Sequence, residues 1–267
     1  MNSSIVKIRG VHVHYRTDGS EDRPTVVFSN SLGTDLRVWD AVADRLRPDF
    51  RLVVYDKRGH GLSDCPDGPW SIRDHSRDLA GLLDALGIGR AIVCGLSVGG
   101  MIAQDLAATR PECVEGLILC DTATRIGDPE LWNARISAVT GQGLSSIADT
   151  VLERWFSSRF RSERVEFHKW RNMLLNTPAD GYARTCGAIR DADLTEATAR
   201  LRIPALAMVG ALDQATPPER VEAMAALIPG CRFRVIPDVG HLPCVEVPDT
   251  VADIILEFCR EILLADV

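Results

Sequence analysis

No run of apolar residues in this 267-residue chain approaches the roughly 18 needed to cross a bilayer, so no membrane partner is expected. The opening Met1-Asn2-Ser3-Ser4-Ile5-Val6-Lys7 lacks the apolar core of a secretory signal. The two absences together predict a cytoplasmic protein. Basic runs are missing too, and the formal net charge of −7 comes from scattered Asp and Glu. Nucleic acid and anionic surfaces are therefore poor partners, although a single local arginine can still hold an anionic substrate. The eight cysteines show neither paired metal-ligand spacing nor the density of a disulfide framework. Cys94, Cys120 and Cys259 lie in apolar runs, where a thiol behaves as a small hydrophobe. No internal repeat or low-complexity segment interrupts the chain.

What is present is an ordinary globular composition, 46% hydrophobic and 25% charged, long enough to bury a sizeable core. Val6–Ile8 and Val11–Tyr15 alternate around Arg9-Gly10 and read as a hairpin. Thr25–Ser29, Leu52–Tyr55, Ala91–Cys94, Gly116–Cys120 and Ala205–Val209 are continuous β-rich runs, as strands buried on both faces should be. Arg232–Ile236 is a weaker alternating run. Between them, Val38–Leu46, His75–Leu86, Met101–Ala108, Pro218–Leu227 and Thr250–Leu264 carry apolar residues at spacings of three and four. Strands alternating with helices predict an α/β fold: a mostly parallel sheet with helices on both faces. From about Thr124 to Ala197 no convincing strand appears, while aromatic and basic residues crowd together. We expect residues 1–123 and 197–267 to form the core and residues 124–196 a helical cap insertion over the sheet's carboxyl edge, where open α/β sheets bind ligands.

The chemistry is carried by Ile92-Val93-Cys94-Gly95-Leu96-Ser97-Val98-Gly99-Gly100, which places Gly-x-Ser-x-Gly after a strand and before a helix. A serine in so sharp a turn takes strained backbone angles, and glycines at 95 and 99 remove clashes with the adjoining strand and helix. A serine hydroxyl needs a base, and the base needs an orienting acid. Both follow in the expected order. Asp213 comes after the Ala205–Val209 strand, and His241 lies in Asp238-Val239-Gly240-His241 between the last strand and the last helix. We therefore expect Ser97 as nucleophile, His241 as base and Asp213 as the group that fixes the imidazole. The oxyanion hole should take one amide from Val98 and one from Leu32, in the loop Ser29-Asn30-Ser31-Leu32-Gly33 after the Thr25–Ser29 strand. The other five histidines show no metal-ligand spacing, and neither metal nor cofactor is expected. A small molecule is the expected partner, and self-association is left open.

These motifs resemble those of the α/β-hydrolase superfamily along the whole chain. Within it, Phe28-Ser29-Asn30-Ser31-Leu32-Gly33-Thr34-Asp35-Leu36, Tyr55-Asp56-Lys57-Arg58-Gly59-His60-Gly61 and Asp121-Thr122-Ala123-Thr124-Arg125-Ile126-Gly127 look like bacterial 3-oxoadipate enol-lactonases. Asn30-Ser31 stands where many relatives have His-Gly. The resemblance implies hydrolysis of a small lactone that bears a carboxylate, with no cofactor. That carboxylate needs a cation in a mostly apolar pocket. Trp132 and Arg135, three residues apart, share a face if their segment is helical, and we expect them to bind it, with Arg125 as competitor. Hydrolysis of another small ester, lactone or carbon–carbon bond, or cofactor-free haloperoxidase chemistry, is the rival within the enzyme class. A non-catalytic ligand-binding protein is the rival outside it.

Overall fold

A computed structural model describes residues 2–162 and 164–265. The chain opens with a hairpin of β1 (Asn2–Ile8) and β2 (Val11–Asp18), closed by Arg9 and Gly10 at φ of 51° and 89°. Two consecutive positive φ angles give the turn whose twist matches that of the flanking strands. Next come β3 (Thr25–Ser29), α1 (Asp40–Leu46), β4 (Arg51–Tyr55), α2 (Ile72–Ala85), β5 (Ala91–Leu96), α3 (Val98–Thr109) and β6 (Val114–Cys120). Among the described residues six α-helices lie between β6 and β7: α4 (Pro129–Gln142), α5 (Ala148–Trp155), α6 (Ser158–Ser162), α7 (Arg164–Leu175), α8 (Ala179–Arg190) and α9 (Thr195–Ala199). The chain then continues through β7 (Ala205–Gly210), α10 (Pro218–Ala225), β8 (Arg232–Ile236), α11 (Pro243–Glu246) and α12 (Pro248–Ala265).

The eight strands form one sheet in the order β1-β2-β4-β3-β5-β6-β7-β8. The pairs β1/β2 and β2/β4 are antiparallel and every other pair is parallel. Every residue of β3, β5 and β7 is buried, so helices cover both faces there, which is why those strands read as unbroken apolar runs. The edge strand β8 is largely exposed, matching its weaker alternation. The chain winds one way from β3 to β4 and then crosses back past β3 to β5. The crevice at the carboxyl ends of β3 and β5 is therefore the topological switch point, where such sheets bind ligands.

Helix starts differ from the apolar periodicity by a turn, for local reasons. The sequence pattern suggests His75–Leu86, but Ser71 and Asp74 form a reciprocal capping box that starts α2 at Ile72. The run expected from Val38 begins as a 3₁₀ turn, Leu36–Trp39, capped by the Asp35 carboxylate. Most relevant to function, α3 begins at Val98, immediately after Ser97, and not at Met101. Between β6 and β7 no strand occurs among the described residues. There α4 packs on α8, and the Phe156 ring stacks on Phe160 at 4.6 Å. Helix α9 instead packs on α3, where Thr198 Oγ1 donates to Gln104 Oε1 at 2.7 Å. Among the described residues no helix is long and apolar enough to cross a membrane.

Candidate active site

Ser97 sits between β5 and α3 at φ 58° and ψ −119°, a left-handed conformation that costs a non-glycine residue about 1–3 kcal/mol. Its surroundings hold it there. Its amide donates to Cys120 O at 2.9 Å, and its carbonyl accepts from Thr122 Oγ1 at 2.6 Å. The flanking glycines answer to hard contacts. A Cβ at Gly95 would lie 2.3 Å from Gly99 O, and a Cβ at Gly99 would lie 2.1 Å from Ser29 O. As the first residue of α3, Val98 carries one of the amides that lack an intrahelical acceptor, beside the positive end of the helix dipole.

His241 and Asp213 meet in loops that follow β8 and β7. His241 Nδ1 lies 2.8 Å from Asp213 Oδ2, with both side chains buried. Asp213 also accepts from Ala215 N at 2.7 Å, Thr216 N at 3.1 Å and Thr216 Oγ1 at 2.7 Å. Burial alone would raise its pKa, but attraction to His241 and the hydrogen bonds from His241 and Thr216 outweigh it and hold the carboxyl below its usual range. Asp213 is thus a fixed anion behind the imidazole.

A second carboxyl, Asp121 at the end of β6, stands beside that pair. Among them, one oxygen each of Asp121 and Asp213 and one nitrogen of His241 lie within 4.8 Å of one another. Asp121 is 0% exposed, and its Oδ1 accepts from Gly210 N at 2.9 Å. As a carboxylate its Oδ2 has no donor. Burial first, then the Asp213 charge, push its pKa well above the usual carboxylate range, and the retained proton turns Oδ2 into a donor toward Asp213. Three such groups resemble a metal set, yet His241 and Asp213 bond directly and Asp213's oxygens are filled by donors, so hydrogen bonding accounts for the cluster.

The loop after β3 is braced by the one after β4. Tyr55 Oη and Ser29 Oγ share a hydrogen bond of 2.9 Å, and Asp56 Oδ1 accepts from Leu36 N at 2.8 Å. The buried Lys57 donates from Nζ to Ser31 O at 2.5 Å. Burial lowers its pKa to about 7, against the pull of Asp56 and Asp35. His60 Nε2 accepts from Gly33 N at 3.0 Å, and its Nδ1 lies 3.2 Å from Arg58 O, a network that assigns the proton to Nδ1. Burial, then nearby Lys57, drive the His60 pKa far down. It is a neutral strut.

Ser97, His241 and Leu32 line one pocket, together with Trp132, Arg135 and Arg154. It encloses about 590 Å³ of non-atom space, its open mouth included. Asp213 and Val98 are buried behind this lining. Trp132 is fixed by Nε1 donating to Ile126 O at 2.6 Å, and the Arg135 guanidinium lies 5.0 Å from its ring centroid. Arg125, the competitor to Arg135, is exposed and not part of the lining. Sequence reasoning missed Arg154. It lines the pocket from α5 with Val151 and Trp155; Val151 stands three residues before Arg154 and four before Trp155, and that helical spacing was the available signal.

The model of the "Alpha/beta hydrolase family" matches residues 26–254. The chain is 37% identical over 239 residues to "3-oxoadipate enol-lactonase 2" of Acinetobacter baylyi, covering 89% of each. It is 34% identical over 259 residues to that organism's "3-oxoadipate enol-lactonase 1", covering 97% of each. The enol-lactonase of Burkholderia xenovorans LB400 superposes with a TM-score of 0.94 at 37% identity, covering 96% of this chain and 100% of that one. The chain belongs to the alpha/beta hydrolase family. Its fold and these relatives make it an enzyme of the carboxylic-ester hydrolase class.

Proposed function

We propose that the chain hydrolyses a small enol-lactone bearing a carboxylate, of the kind that the two Acinetobacter relatives are named for, with Ser97, His241 and Asp213 as the catalytic triad. The observation that carries this reading is the shared pocket, where Ser97 and His241 face the same space as Trp132 and Arg135. Helices α4 to α8 act as its cap. Ser97 Oγ attacks the lactone carbonyl as His241 Nε2 takes the hydroxyl proton, and Asp213 steadies the imidazolium. The amides of Leu32 and Val98 receive the oxyanion. Collapse breaks the ring C–O bond, and His241 returns the proton to the leaving enol oxygen. That enol stays tethered to the acyl chain. Its tautomerisation to a ketone removes the nucleophile that would re-close the ring, and water, deprotonated by His241, then releases the carboxylic acid. Arg135, always charged and stacked on Trp132, holds the substrate's own carboxylate.

The test follows loss of the enol-lactone's ultraviolet absorbance, set against a panel of simple esters. We expect the lactone to be preferred by kcat/KM and Ser97→Ala to abolish turnover of every substrate. Preference for an uncharged ester would overturn the substrate assignment, and full activity in Ser97→Ala would overturn the mechanism.

A further inference from the structure

Among the described residues two guanidiniums line the pocket, and no carboxylate does. Arg135 projects from α4 on the face that also presents Leu131 and Trp132, while Arg154 projects from the last turn of α5. Neither forms an ion pair with any carboxylate among the described residues. Both act on the same buried hydroxyl, that of Tyr182. Burial raises its pKa, and Arg135 and Arg154 each pull it back. Two cations facing one small, otherwise mostly apolar space repel each other across a medium less polar than water. A ligand with one negative charge leaves that repulsion half compensated. The lactone carries a single carboxylate; ring opening creates a second. The number of cations matches the product and not the substrate.

Resting on the reading of this pocket as the hydrolytic site, we propose that it is a dicarboxylate site, in which Arg135 and Arg154 each neutralise one end of a short aliphatic dianion. The released dicarboxylate then competes with incoming lactone, and hydrolysis slows as product accumulates. Arg154 is the residue that sets this preference. Arg135, held by Trp132, meets the carboxylate common to substrate and product.

Calorimetric titration of the wild-type protein with adipate and with 6-hydroxyhexanoate isolates the second charge, because the two differ mainly in one terminal group. Adipate should bind about tenfold more tightly, the scale of one partly solvated charge pair. Arg154→Met should bring the two affinities together by weakening adipate alone, and Arg154→Lys should keep most of the difference. Circular dichroism confirms that each variant is folded, and Arg154→Gln replaces Met if the first is not. Equal affinities in the wild type would overturn the proposal, as would a preference for adipate that survives loss of the Arg154 charge. Binding is read without turnover, so a protein that ignores the enol-lactone can still pass this test, and one that cleaves it can still fail.

Discussion

Two carboxyl groups touch at the base of the proposed triad, and the environment assigns them opposite protonation states. Asp213 is surrounded by donors and held ionised, whereas Asp121 is enclosed and faces that negative charge. Replacing each by its carboxamide should therefore give opposite results. Asp213→Asn removes the anion that fixes and charge-compensates His241, and kcat should fall by about 10⁴. Asp121→Asn keeps an oxygen for Gly210 N and an NH₂ for Asp213, the same pattern that the protonated acid offers, so kcat should stay within about threefold. Stability separates them further. The native state keeps a proton on Asp121 that the unfolded chain releases near the ordinary value of 3.8. Where the native state binds the extra proton, stability falls as pH rises. From about pH 4 upward to the native pKa, wild type should therefore lose about 1.4 kcal/mol per pH unit relative to Asp121→Asn, which does not titrate. Urea denaturation of both proteins in steps upward from pH 4 reads this difference. A gap that is flat across that range, or a thousandfold loss of kcat in Asp121→Asn, would refute the protonated-acid assignment.

Other expectations follow from single contacts. Gly99→Ala pushes a Cβ against the Ser29 carbonyl, which is backbone and cannot swing away; a loss of about 3 kcal/mol or more in urea unfolding is expected. Lys57→Met removes the donor to Ser31 O while filling the same space. Loosening of the Leu32 amide should lower kcat about tenfold with KM nearly unchanged in steady-state assays, since the oxyanion forms only during reaction. Arg135→Ala should reduce kcat/KM for the carboxylate-bearing lactone by about 30-fold or more and leave a neutral ester within about threefold. Equal losses on both substrates would place Arg135 in packing.

The core was legible because it is written in consecutive residues. Apolar runs marked every parallel strand except the exposed edge strand β8, which showed only weak alternation, and Arg9-Gly10 marked the first turn. Where the reading slipped, a polar contact had decided the boundary before periodicity began. Ser71 and Asp74 start α2 a turn ahead of the apolar pattern. At Ser97 the helix must begin at the next residue, because a strained turn leaves no room for a connecting loop. Apolar spacing reports which face is buried, and a cap reports where hydrogen bonding starts. The two signals are independent, so a helix read from one alone is misplaced by about a turn.

The site divides along the same line. The proposed triad could be drawn from sequence because Ser97, Asp213 and His241 each sit in a local motif after a strand, and the fold puts Ser97 and His241 on one pocket with Asp213 bonded to His241. Asp121 carries no sign of its surroundings in the sequence, because nothing in Asp121-Thr122-Ala123 shows that β6 ends beside β7 and its loop to Asp213. Its protonation is a property of two chain segments and belongs to neither. Lys57 is a similar case: a lysine in a loop reads as solvated until the fold buries its amine against the Ser31 carbonyl. Arg154 is the instructive intermediate. Its lining face could be drawn from Val151, Arg154 and Trp155 alone, but which helical face looks at Ser97 depends on how α4 and α5 pack over the sheet. A pocket built from a core and an insertion thus splits its own legibility. The proposed reacting groups, set in motifs of the core, are visible in sequence; of the groups proposed to choose the ligand, Trp132 and Arg135 could be named from their helical spacing, while Arg154 becomes visible only when the insertion is laid across the sheet.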